Sequence, residues 1–171
     1  RNFGEIVADH EGHGFEWAET AEDRTALWTL RHHAHWAVLA SRPGHRAVVT
    51  DICVPISRLA EAVEATQADL DAHGISGPIL GHVGDGNFHA ILLFDPEDAA
   101  ALAKVKAASD RLVALSLSMG GTSTGEHGIG IGKKAFMPRE HGEAWPVMGL
   151  IKRSLDPMNI FNPGKLAPDA H

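Results

Sequence analysis

The sequence predicts an α+β fold in which helices pack on an antiparallel sheet. Two stretches of strand character, AVVTDICVPI (47–56) and PILGHVGDGNFHAILLF (78–94), stand between amphipathic helical segments. Nothing links them like a parallel crossover or a nucleotide-binding loop, and a helical segment closes the chain. At 171 residues one domain covering 1–171 is expected.

Residues 3–11 suit the end of a helix, and GFEWAE after them has the alternation of a short strand. From Asp23 to Ser41 the residues Leu27, Leu30, Ala34, Ala37 and Val38 recur at three- and four-residue steps, which predicts an amphipathic helix capped by Asp23 and closed by Pro43-Gly44. The 47–56 run is rich in β-branched residues and reads as a buried strand. Ser57 then caps a helix to about His73, with Leu59, Val63, Thr66 and Leu70 inward. The 78–94 run is either a hairpin or a strand broken by a bulge, because its centre is Gly-Asp-Gly-Asn. A helix follows from about Pro96 to Met119, then a glycine-rich run, a helix from about Glu140 to Leu155, and a tail of turns.

Composition narrows the function. A net charge of -7 opposes a nucleic-acid partner, since such proteins gather Lys and Arg against phosphate. No apolar run approaches the roughly 20 residues of a membrane span. No signal peptide is read in the first twenty residues. The one cysteine, Cys53, reads as a core residue in a reducing compartment, and a cytoplasmic protein is expected, peripheral to the inner membrane in a larger complex. Twelve histidines beside no tyrosine draw attention to where the histidines stand.

His82 and His89 flank the Gly84-Asp85-Gly86 kink. In a continuous strand a spacing of seven would send them to opposite faces, but a change of register lets them share a site. Flanking a plain turn and bonding backbone carbonyls is the equal alternative for this motif alone. The second glycine-rich run, TSTGEHGIG, sets Glu126 and His127 between Gly125 and Gly128, where backbone approaches closely. Two histidines and a glutamate form a three-ligand set for zinc or a similar divalent ion, with a position left open, and their ligating atoms are expected within about 4–5 Å of one another. His127 is then left as a proton carrier. Arg31, between Trp28 and His32, is a weaker candidate for clamping a carboxylate through its planar fork. Asn162 and Lys165 read by themselves as turn residues.

GHVGDGNFH, GTSTGEHGIGIGKK and LDPMNIFNPGK, in this order and with a helix between the first two, resemble the C-terminal domain of the FAD-linked oxidases. That flavoprotein group includes D-lactate dehydrogenase, the glycolate oxidase flavin subunit and D-2-hydroxyglutarate dehydrogenase. LWTLRHHAHWA and VVTDICVPISRL are similar to its D-lactate dehydrogenase branch. The resemblance implies a ferredoxin-like α+β core and a substrate-side domain that works against an N-terminal FAD-binding domain absent here. It implies His82, His89 and Glu126 as metal ligands, His127 as base, Arg31 on the substrate carboxylate, and the Asn162–Lys165 segment near flavin or substrate. The implied reaction oxidises a small D-2-hydroxy acid to its 2-oxo acid, with hydride passing to FAD; the residues leave the electron acceptor unassigned. The alternative is a non-catalytic metal-binding or assembly domain acting through partner contacts. A chain cut from its flavin domain is expected to self-associate, or to show disorder in the 120–133 loop and after Asp156.

Overall fold

The computed structural model describes residues 2–13, 17–82 and 84–168. It divides into two compact units, 1–40 and 41–171.

The first unit holds two helices. Helix α1 spans Phe3–Asp9 and opens with a reciprocal cap: Asn2 Oδ1 accepts from Glu5 N at 3.0 Å, and the Glu5 carboxylate accepts from Asn2 N at 3.3 Å. In the expected strand after it, residues 14–16 lie outside the described residues, and 17–19 form no strand. Helix α2 spans Ala21–Ala40. Its cap is Thr20, whose hydroxyl accepts from Asp23 N at 3.1 Å, so Asp23 supplies the amide and not the capping side chain. No residue of α2 is buried, and Leu27 and Leu30 of the expected apolar stripe are exposed.

The second unit is built on one hairpin. Strands β1 (Arg46–Val49), β2 (Ile52–Cys53), β3 (Ile79–His82) and β4 (Asn87–Phe94) form an antiparallel sheet with β4 at its centre. β1 and β2 run along one edge of β4 in a continuous register, Val49 opposite Ile91 and Ile52 opposite Phe88, and β3 takes the other edge. The 47–56 run is therefore one line of chain whose ladder is interrupted at Thr50-Asp51.

Alternation along β4 sends Phe88, Ala90, Leu92 and Phe94 into the core, where they meet Ile52, Leu70, Val105, Ala108 and Leu112. The last four come from α3 (Leu59–Ala72) and α4 (Ala99–Ser118). A short 3-10 turn, Ile56–Arg58, precedes α3 and occupies Ser57, so the expected Ser57 cap does not form. Asp98 caps α4, its Oδ1 accepting from Ala100 N at 2.8 Å and Ala101 N at 3.0 Å. Arg111 of α4 closes a two-pronged bridge onto Asp69 of α3, both bonds 2.8 Å.

The glycine-rich run is irregular until α5 (Gly130–Lys133), and a 3-10 turn, α6 (Met137–His141) and α7 (Ala144–Leu155) follow. The expected single helix at 140–155 is split because Gly142 adopts φ +51°, a left-handed conformation that ends α6. Trp145 and Gly149 turn α7 inward, while Val147, Leu150, Ile151 and Leu155 are exposed. Among the described residues no helix is long and apolar enough to cross a membrane.

Leu112 is 1% exposed, so Leu112→Ala should cost about 2–5 kcal/mol in denaturant unfolding. Asp69 offers a pH test. The Arg111 hydrogen bonds hold its carboxyl below the ordinary value of 3.8, against the opposing effect of burial. The stability this adds is present above that value and is lost as the pH falls through the lower folded value. An Asp69→Asn variant should therefore lose stability near neutral pH and show a shallower further decline below pH ~4 than the wild type, as read from thermal midpoints.

Candidate functional site

The β3–β4 hairpin explains how an odd spacing serves one site. His82 pairs with Asn87 across the hairpin, and partners in an antiparallel ladder point to the same face. Asn87 and His89 are two apart on β4, so His82, Asn87 and His89 share the face opposite Phe88 and Ala90. A turn, and not a bulge in a continuous strand, makes the reversal. Gly86 in that turn has φ +74°, and a Cβ there would come within 2.1 Å of the Val54 carbonyl oxygen. Only glycine allows the turn to lie so close to the chain after β2.

Opposite His89 lies the interruption at Thr50-Asp51. The Thr50 hydroxyl, not a backbone carbonyl, accepts from Ala90 N at 2.7 Å, which leaves the Thr50 carbonyl 2.9 Å from His89 Nδ1. A carbonyl can only accept, so Nδ1 carries a proton and Nε2 is the nitrogen turned to the site. Nε2 lies 3.2 Å from Glu126 Oε1, and His82 Nε2 lies 3.3 Å from the same oxygen. The ligating atoms of His82, His89 and Glu126 lie within 4.8 Å of one another. The His127 ring stacks on His89, centroids 5.2 Å apart and planes 13° from parallel, with Nε2 3.6 Å from Glu126 Oε1.

The loop that delivers Glu126 and His127 is fastened at three points. Thr122 N donates to the Cys53 carbonyl at 2.8 Å, beside β2. Ser123 donates to Glu140 from its backbone, at 3.0 Å, and from its hydroxyl. Beyond it, Asp51 accepts from Thr124 Oγ1 at 2.7 Å, from Gly125 N and His127 N at 3.0 Å each, and from Glu126 N at 3.2 Å. Asn87 Nδ2 adds a bond at 3.1 Å. Burial opposes ionisation of Asp51, but these donors outweigh it and hold the carboxyl well below the ordinary carboxylate range. Lys133 donates to the Asp51 carbonyl and lies 3.6 Å from its carboxylate. Burial lowers the pKa of Lys133, and Asp51 opposes that shift.

Asp51, His89 and His127 also present ligand-type atoms within 4.8 Å of one another. Asp51 nevertheless has both oxygens occupied by hydrogen bonds, whereas His82 Nε2 and His89 Nε2 both converge on Glu126 Oε1, an arrangement suited to a cation. Sequence reasoning passed over Asp51, Asn87, Thr124, Lys133 and Glu140. The signal for Asp51 was an acidic residue inside the apolar run AVVTDICVPI, since a buried charge needs partners. Cys53 is only half-buried, with Sγ 3.3 Å from the Asp85 carbonyl, and is not the core residue expected.

The remaining candidates are carried by other elements. Arg31 is on α2 in the first unit, its guanidinium 5.4 Å from the centre of the Trp28 ring. Asn162 and Lys165 line a cleft in the C-terminal tail together with Lys152, Arg153 and Asp156. The turn there is held by Asp156, which pairs with Lys152 and accepts from Ile160 N at 3.0 Å and Phe161 N at 2.9 Å.

A Cβ on Gly125 would fall 1.7 Å from Asn87 Nδ2 and 2.9 Å from Asp51 Oδ1. Gly125→Ala should therefore break the Asn87–Asp51 bond and lower unfolding stability by about 1–3 kcal/mol in denaturant titration.

Comparison with known proteins matches this sequence to a family. The model of the FAD linked oxidases, C-terminal domain, matches residues 2–166. A probable mitochondrial D-lactate dehydrogenase of Danio rerio is 50% identical over 95% of the chain and 33% of its own length. The mitochondrial D-lactate dehydrogenase [cytochrome] of Arabidopsis thaliana is 43% identical over 96% of the chain and 29% of its own length. The D-2-hydroxyglutarate dehydrogenase of Pseudomonas putida is 34% identical over 90% of the chain and 15% of its own length. The chain thus spans a third or less of these relatives. The expectation of a cytoplasmic protein is corrected by the first two, both named as mitochondrial. With a match across 2–166, the chain belongs to the FAD-linked oxidase C-terminal domain family.

Proposed function

We propose that this chain is the substrate-side wall of a flavin-dependent dehydrogenase that oxidises a small D-2-hydroxy acid, such as D-lactate, glycolate or D-2-hydroxyglutarate, to the 2-oxo acid. The observation that carries the proposal is the approach of His82 Nε2 and His89 Nε2 to one Glu126 oxygen, at 3.3 and 3.2 Å, with the His89 tautomer fixed by Thr50. A carboxylate oxygen that meets two imidazole nitrogens has a proton or a cation between them, and two imidazoles with a carboxylate suit a divalent ion of borderline softness, zinc among them. His82, His89 and Glu126 would hold that ion, and FAD would sit on a flavin-binding domain facing this one.

When bound, the cation makes a hydroxyl more acidic and the flavin supplies a two-electron acceptor. The chain's own part is to receive the proton and to orient the acid. His127 exposes Nε2 beside Glu126, where it takes the hydroxyl proton as general base. Its stacking on His89 fixes the plane of the ring. In this reading Arg31 clamps the substrate carboxylate through its planar fork, and Lys165 and Asn162 serve the substrate and flavin. The exposed apolar residues of α7 supply a surface for the flavin domain or, without it, for self-association.

The test uses the complete protein that carries this sequence, assayed for metal and flavin by mass spectrometry and for oxidation of D-2-hydroxy acids. His127→Ala should reduce turnover about 10²–10⁴-fold while metal content stays near wild type, and His82→Ala should lose the metal. Metal loss in both variants would make His127 a ligand. A native protein without metal would sink the cation reading.

A further inference from the structure

We infer that Asp51 is a positioning residue which holds Glu126 and His127 in their working orientation before any cation or substrate arrives; the inference rests on the reading of His82, His89 and Glu126 as a cation site. Three consecutive backbone N–H groups, of Gly125, Glu126 and His127, point at one carboxylate, joined by the Thr124 hydroxyl. Successive amides that converge in this way form a concave anion site. Here the anion is internal. Asp51 is 2% exposed, on the strand line that also fixes His89 through Thr50.

Both halves of the cluster are thus referred to one short segment. Thr50 orients His89, and Asp51 orients the two residues that meet His89: Glu126 by its oxygen at 3.2 Å and His127 by its ring at 5.2 Å. With the amides drawn to Asp51, the side chains of residues 126 and 127 are turned towards His89. Asp51 itself has no lone pair to spare for a metal, so its effect passes entirely through the loop. Lys133, 3.6 Å from the Asp51 carboxylate, supplies a counter-charge to it.

The charge and the acceptor-only character are both required. An asparagine at 51 would offer one acceptor, and its amide NH2 would confront the N–H and O–H donors now bonded there. The experiment compares Asp51→Asn with Asp69→Asn, which removes a salt bridge outside the site, in the complete protein stripped of metal. Co2+ titration measures cation affinity, and amide hydrogen exchange is followed over 124–128. Asp51→Asn should weaken Co2+ binding about 10–100-fold, the range typical of groups that orient metal ligands, and raise exchange in the loop at least about tenfold. Asp69→Asn should leave both unchanged despite lowering the thermal midpoint.

A folded Asp51→Asn variant with wild-type affinity and exchange would overturn the inference, as would Asp69→Asn moving both readouts equally. If the wild type takes up no Co2+, the cation reading fails on that result, and loop exchange alone decides the role of Asp51. If Asp51→Asn does not fold, Thr124→Val, which deletes one donor to Asp51, should shift both readouts in the same direction by a smaller factor; no shift would overturn the inference.

Discussion

A carboxylate removed from water must be met by donors, and the second unit is arranged around that requirement. Asp51 is buried in the line of β1 and β2, and its side-chain partners come from elsewhere in the chain, among them Asn87 from the hairpin, residues 124–127 from the glycine-rich run and Lys133 from α5. Removing one member of such a set leaves a buried charge short of partners, a loss on the order of 3–5 kcal/mol when an ion partner is taken away. The segments that carry the candidate site are therefore coupled to the strand that carries Asp51. Glu140, holding Ser123 from α6, fixes the other end of the loop by the same means.

The hairpin contributes a different kind of order. β4 is buried on both faces for most of its length, with one face given to the α3–α4 core and the other opening at Asn87 and His89 into the site. Sheet register, not loop placement, thus sets His82 and His89, and the break at Thr50 fixes which nitrogen of His89 is free. Rigid strands hold the two imidazoles, while the loop brings the acidic and basic groups to them. That division leaves the two imidazoles set by register and Glu126 and His127 set by the loop.

Outside the site the chain keeps a large apolar surface. On α7 the buried residues are Trp145 and Gly149, while the exposed positions include Val147, Leu150, Ile151 and Leu155, followed in the tail by Met158, Ile160 and Phe161.

The sequence by itself determined most elements of the second unit and the residues of the candidate site. Periodicity located α3, α4 and the strands of the second unit, because each buries a face whose spacing is written in the chain, and the paired glycine-rich motifs singled out His82, His89, Glu126 and His127. It also marked an apolar stripe on α2, yet no residue there is buried, since periodicity records a face without recording what covers it. The Ser57 cap and the single 140–155 helix were lost to backbone events that depend on neighbours, a 3-10 turn and the left-handed Gly142. Only the tertiary structure decided that the odd histidine spacing closes on one face, that Thr50 sets the tautomer of His89, and that Asp51 gathers the loop. The first rests on the turn between β3 and β4; the last two are pairings between residues 39 to 76 positions apart, and a hydrogen bond across such a distance leaves no period in the sequence.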